Sequence, residues 1–76
     1  MMRISVKLMG VLKAKTPANS ELNLPHLSTI EDALTALDIE MSRVNAVSIN
    51  GTIERDLTRI LEEDDTLIVL APVGGG

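Results

Sequence analysis

Apolar and polar residues alternate strictly through Arg3-Ile4-Ser5-Val6-Lys7-Leu8, which puts Ile4, Val6 and Leu8 on one face of an extended segment and Ser5 and Lys7 on the other. This pattern predicts a first strand, half-buried against a core. The connector from Gly10 to Asn19 carries Lys13, Lys15 and Pro17, and its two lysines read as a solvated loop, with a partner contact as the other reading. Alternation resumes at Glu21-Leu22-Asn23-Leu24, a second strand able to pair with the first, and Pro25 closes it.

The period then changes. Ser28-Thr29-Ile30-Glu31 has the Ser-x-x-Glu form of a capping box, in which Ser28 accepts the amide three residues on and Glu31 returns to the Ser28 amide. Behind it Ile30, Ala33, Leu34 and Leu37 fall on one helical stripe, and Glu31 and Asp32 suit the positive end of the helix dipole. A helix of about nine or ten residues is predicted, enough to cover one face of a sheet. His26 beside it has no second ligand near it in sequence and reads as a surface histidine.

Ala46-Val47-Ser48-Ile49, Asn50-Gly51 and Thr52-Ile53 form a hairpin signal, since Asn-Gly supplies the two positive φ angles of a type I′ turn. From Arg55 to Leu61, the spacing of Leu57, Ile60 and Leu61 suits one helical turn tucked under the sheet. Glu62-Glu63-Asp64-Asp65 reads as a solvated turn, because adjacent acids on a short turn rarely converge on one cation. Thr66-Leu67-Ile68-Val69-Leu70 lacks alternation, the mark of a central strand covered on both faces. With one helix covering one face, part of the other face is expected to be an apolar patch open to a partner. Strand, strand, helix, hairpin and last central strand make an α+β domain with its helix across a mixed sheet of four to five strands.

Composition narrows the function. The chain has no Phe, Tyr or Trp, so its core is aliphatic and no aromatic platform exists for stacking bases. A net charge of −4 argues against a phosphate backbone as partner and favours a basic protein. Without cysteine, and with a single histidine, there is no thiol nucleophile and no basis for a metal site. No signal peptide or membrane span is legible, and a cytoplasmic protein is expected.

After this apolar strand comes Ala71-Pro72-Val73-Gly74-Gly75-Gly76. Lacking Cβ atoms, such a tail can thread a slot closed to other residues, and extended it could carry a carboxylate roughly 20 Å from the sheet. Taken alone, the tail fits an inert frayed end as well as a threading one.

Three stretches, in order, change that balance. Thr29-Ile30-Glu31-Asp32-Ala33-Leu34, Val47-Ser48-Ile49-Asn50-Gly51, and Leu61 through Gly76 with its acidic turn, apolar strand, proline and glycines are similar to the helix opening, hairpin and ending of a known family. The chain resembles the ubiquitin-like sulfur carriers of MoaD/ThiS type, from molybdopterin and thiamin biosynthesis. The resemblance implies a β-grasp domain over residues 1–70 with a flexible tail over 71–76. It also implies that an adenylating enzyme related to ubiquitin activators uses ATP to convert the Gly76 carboxylate to an acyl-adenylate. A persulfide sulfur donor then replaces AMP to leave a thiocarboxylate. Val73, Gly74 and Gly75 are the residues implied to enter the partner's active site, and a larger synthase subunit is the implied receiver of the sulfur. The chain itself is implied to be a carrier rather than an enzyme, with no bound cofactor or metal, the molybdopterin pathway being preferred to the thiamin one. Two departures stand out: Asp64-Asp65 where relatives often have Gly-Asp, and three terminal glycines where two are usual, so that Gly75 is the other candidate for the reactive end. A modifier that forms isopeptide bonds through the same glycine, and an interaction module with an inert tail, are the readings from other classes.

Overall fold

The structure, a computed structural model, describes residues 1–71. Five strands, β1 (Met2–Leu8), β2 (Glu21–Leu24), β3 (Ala46–Ile49), β4 (Thr52–Ile53) and β5 (Thr66–Leu70), form one sheet in the order β2-β1-β5-β3-β4. β5 runs parallel to β1 and antiparallel to β3, so the last strand is the central one, as its unbroken apolar run predicts. The one α-helix among the described residues, α1 (Ile30–Ala36), turns Ile30, Ala33 and Leu34 into a core completed by Ile4, Val6 and Leu8 of β1, Val47 and Ile49 of β3, and Leu67 and Val69 of β5. All of these are aliphatic and buried, which is how so short a chain without aromatic residues closes a core.

The predicted capping box exists one residue later than Ser28 and Glu31. The Thr29 hydroxyl accepts the Asp32 amide at 3.1 Å, and the Asp32 carboxylate accepts the Thr29 amide at 2.9 Å. Ser28 is occupied elsewhere: its hydroxyl donates to the Pro25 carbonyl at 2.7 Å, and its own carbonyl accepts the Leu61 amide at 2.8 Å. At seven residues the helix is shorter than the nine or ten predicted, because the chain turns left-handed at Asp38 (φ 59°). There the Ile39 amide donates back to Leu34 and the Asp38 amide to Thr35, a Schellman closure that uses up the last carbonyls and buries Ile39 beneath them.

The helical turn predicted from Arg55 to Leu61 is absent. That segment bends at Asp56–Arg59 and then runs extended, bridging Thr29 through Ile60. The first amides of a helix have no partner within it. Here Ile30 and Glu31 donate to the carbonyls of Arg59 (3.1 Å) and Leu57 (2.9 Å), which an internally bonded turn would have withheld. Leu61 is buried and Leu57 half-buried, but Ile60 is exposed. The Gly10–Asn19 connector is also more ordered than a solvated loop: Gly10–Lys15 winds as a 3-10 helix that drives Leu12 into the core.

The hairpin forms as its sequence requires, with Asn50 at φ 52° and Gly51 at φ 89°. A Cβ added at Gly51 would meet no atom within 4 Å, so the glycine is needed for its backbone and not for space. Gly51→Val is therefore expected to destabilise by about 1–2 kcal/mol through left-handed strain. Glu62→Gln, on an exposed turn, should stay within about 0.5 kcal/mol. Urea unfolding of the two variants side by side checks this, and equal losses would contradict the turn assignment.

Candidate functional site

The site is the end of β5 and what surrounds it. In a parallel neighbour β1 and an antiparallel neighbour β3, β5 has ladder partners on both edges, Leu8 facing Val69 and Ala46 facing Leu70. Beyond these pairs the Met9 amide donates to the Val69 carbonyl at 3.0 Å and the Asn45 amide to the Leu70 carbonyl at 2.7 Å. Ala71 follows and is itself buried in the core. Whatever leaves the domain here is thus anchored by the most firmly held strand. Val73, Gly74, Gly75 and Gly76, the residues implied for partner entry and modification, lie outside the described residues. The described core runs from Met2 to Ala71, and glycines bring no side chain to add to it, so deleting Gly74 to Gly76 should leave the thermal midpoint almost unchanged. A drop of many degrees in a melting curve would mean that the core extends into the tail.

The sheet face opposite α1 carries the anticipated apolar patch, narrower than an unbroken strand would give. Ile68 and Leu70 of β5 are half-buried there, beside Ala46 of β3 and exposed Ile53 of β4, whose cross-strand partner is Ser48. Toward β2 the face becomes polar, with Arg3, Ser5 and Lys7 on β1 and Glu21 and Asn23 on β2. Arg3 and Glu21 pair across it at 3.6 Å, both exposed. Two clefts flank the end of β5. One, of about 310 Å³, is lined by Met41, Val44, Ala46, Ile53 and Leu57 together with Glu54 and Arg55; the other, of about 440 Å³, lies between Lys7, Met9, Lys13, Thr16 and Ser20.

The acidic run divides. Glu62, Glu63 and Asp64 are solvated as predicted, with Asp64 at φ 67°, the region that glycine favours. Asp65 is instead turned inward and buried. Its carboxylate accepts the Asn50 side-chain amide at 2.9 Å and the Glu62 backbone amide at 2.8 Å, while the Asn50 side-chain oxygen accepts the Thr66 amide at 2.8 Å. Asn50 thus serves twice, by its backbone in the hairpin and by its side chain as a clasp between hairpin and acidic turn. Sequence reasoning found only the first role. Among the described residues no cluster of His, Asp or Glu is placed to hold a metal ion, and His26 is exposed. The Asp56 carboxyl is held below its ordinary range chiefly by the Thr58 hydroxyl and then by the Thr58 amide, which marks a tight exposed turn. No described helix is long and apolar enough to cross a membrane.

Comparison with known proteins bears on both the fold and the end of β5. The family model described as ThiS family matches residues 6–76. Two crystal structures of small archaeal modifier protein 1 from Haloferax volcanii are similar. The first is 22% identical, covers 96% of this chain and 100% of its own, and has a TM-score of 0.72. The second is 23% identical, with 97% and 99% coverage and a TM-score of 0.70. No curated protein matches. The sheet and helix are therefore those of the ubiquitin-like β-grasp.

Proposed function

We propose, because this chain belongs to the ThiS family, that it carries sulfur on the carboxyl group of Gly76 and is the substrate, not the catalyst, of the enzymes that load it. The observation that carries this reading is a family match continuing through Val73-Gly74-Gly75-Gly76 from a strand pinned on both edges. A carboxylate is a poor electrophile. In an adenylating enzyme its oxygen attacks the α-phosphorus of ATP, pyrophosphate leaves, and the mixed anhydride gives the acyl carbon a leaving group. The terminal sulfur of a persulfide donor then displaces AMP, and cleavage of the acyl disulfide by a thiol leaves the thiocarboxylate. The ATP belongs to the activating enzyme, and the chain needs no cofactor of its own for this cycle.

The domain's part is to present the tail and to be recognised. The patch of Ile68, Leu70, Ala46 and Ile53 offers apolar contact beside the point where the tail departs. The proposed receiver is the larger subunit of molybdopterin synthase, in the cytoplasm, and the alternative is the thiazole-forming step of thiamin synthesis. Deleting the gene separates them: loss of molybdoenzyme activity without a thiamin requirement supports the first, and the reverse supports the second. A second reading, conjugation to lysines of other proteins, is favoured by the name of the two similar structures, which are called modifiers. Heavier species on whole-cell blots, with an isopeptide-linked Gly76 in their digests, would establish it. The shared first step is tested by pyrophosphate exchange in the adenylating enzyme, which should depend on the full chain and vanish when Gly75 and Gly76 are removed.

A further inference from the structure

The charges of this acidic chain are not evenly spread. Glu62, Glu63 and Asp64 lie at the start of β5, where Arg3 is the nearby cation and is already paired with Glu21. Toward the other end, where the tail departs, stand Lys13 beside one cleft and Arg55 beside the other, with Lys7 in the Lys13 cleft opposite Ile68 at the middle of β5, all exposed. None of these three is in an ion pair among the described residues. Of the acids on the neighbouring segments, Asp38 pairs with Lys15 at 3.4 Å, Glu54 with Arg59 at 3.1 Å, and Asp56, next to Arg55, accepts from Thr58. Five residues of β5 separate the two ends, about 16 Å at the rise of a strand. The Debye length at physiological salt is about 8 Å. A protein approaching the tail therefore meets the local cations, while the acidic turn that dominates the net charge is largely screened from it.

We propose that Lys7, Lys13 and Arg55 form a basic collar around the tail exit, and that this collar docks on an acidic rim at the mouth of the adenylating enzyme's active site. The proposal rests on the carrier reading, and it reverses locally the basic partner that a net charge of −4 suggests. Such a collar attracts the domain, while the apolar patch holds it once seated. It also offsets the anionic end of the tail, which would otherwise be repelled by the acidic rim it must pass.

The test measures association of the full chain with the adenylating enzyme of the same organism by stopped flow, at low and high salt. Lys13→Gln and Arg55→Gln should each slow association about threefold at low salt, and together about tenfold. Arg3→Gln makes the same change in net charge as either single variant but at the wrong end, and should alter the rate by less than about 1.5-fold. The differences should shrink at high salt. Equal slowing by Arg3→Gln, or no slowing by the double variant, overturns the collar. So does faster association of the double variant, which would mean that the collar held the chain's own carboxylate. Salt-sensitive self-association of the chain, abolished by the double variant, would assign the collar to the acidic turn of a second copy and overturn the proposal too. Absence of chain-dependent pyrophosphate exchange with the unaltered protein is a separate outcome, and it counts against the carrier reading itself.

Discussion

Gly75→Val is expected to lower chain-dependent pyrophosphate exchange by about a hundredfold, the cost of a misplacement near 1 Å at a reacting centre, while leaving unfolding and enzyme binding as they were. The adenylating enzyme must hold a small flexible carboxylate in line with the α-phosphate of ATP. A slot that admits glycine leaves no space for a branched Cβ, and valine also loses the backbone freedom with which glycine adapts to the slot. The folded body should be unaffected, since the strands, the helix and the described core all lie within residues 2–71. Exchange assays beside a binding titration separate the two effects. Normal exchange by the variant would remove the carrier assignment, whereas weakened binding with normal maximal exchange would make Gly75 a docking residue.

Asp65→Ala should cost about 1–3 kcal/mol, because it removes a buried carboxylate that accepts two part-buried hydrogen bonds, and a bond to a charged group contributes about 1.5–3 kcal/mol. The donors are the Asn50 side-chain amide and the Glu62 backbone amide, and the clasp they form with Asp65 ties the hairpin to the start of the central strand. Asp65→Asn keeps the shape and one acceptor, so about half of the loss should return. In a double-mutant cycle with Asn50→Ala, the two losses should be strongly non-additive. A loss below about 0.5 kcal/mol for Asp65→Ala in urea unfolding would show that water replaces the carboxylate and that the clasp is incidental.

Long or chemically specific patterns were legible from the residues, and short ambiguous ones were not. The stripe Ile30, Ala33, Leu34, Leu37 is buried as read, though its helix stops at Ala36 with Leu37 as the cap, and the Asn50-Gly51 turn formed as read. The capping box slipped by one because Ser28-x-x-Glu31 and Thr29-x-x-Asp32 satisfy the same pattern, and only the Pro25 carbonyl, which engages Ser28, decides between them. Leu57, Ile60 and Leu61 share helical spacing, yet a seven-residue segment gains little from forming a helix alone. The unpaired amides of α1 offered it better bonding in an extended form. Leu12 and Ile39 are single apolar residues in irregular stretches, so no period announces that they are buried.

The candidate site was legible in a different way. Its position on the last strand followed from the lack of alternation in Thr66–Leu70, and its chemistry from the glycines and the family resemblance. The sidedness of its charge was hidden, because Lys7 and Lys13 come from one part of the chain and Arg55 from another, and only the β1-β5-β3 order sets their two clefts on either side of β5. The inward turn of Asp65 was equally hidden, since its partner Asn50 is fifteen residues away.

The central claim, that the Gly76 carboxylate is loaded with sulfur, is tested most directly by intact-mass spectrometry. The full chain is incubated with ATP, the adenylating enzyme and a persulfide donor, and its mass should rise by the exchange of one oxygen for sulfur, localised by fragmentation to Gly76. An unchanged mass, although the enzyme turns over ATP in the presence of the chain, would contradict the account, and so would sulfur found at any residue other than the terminal glycine.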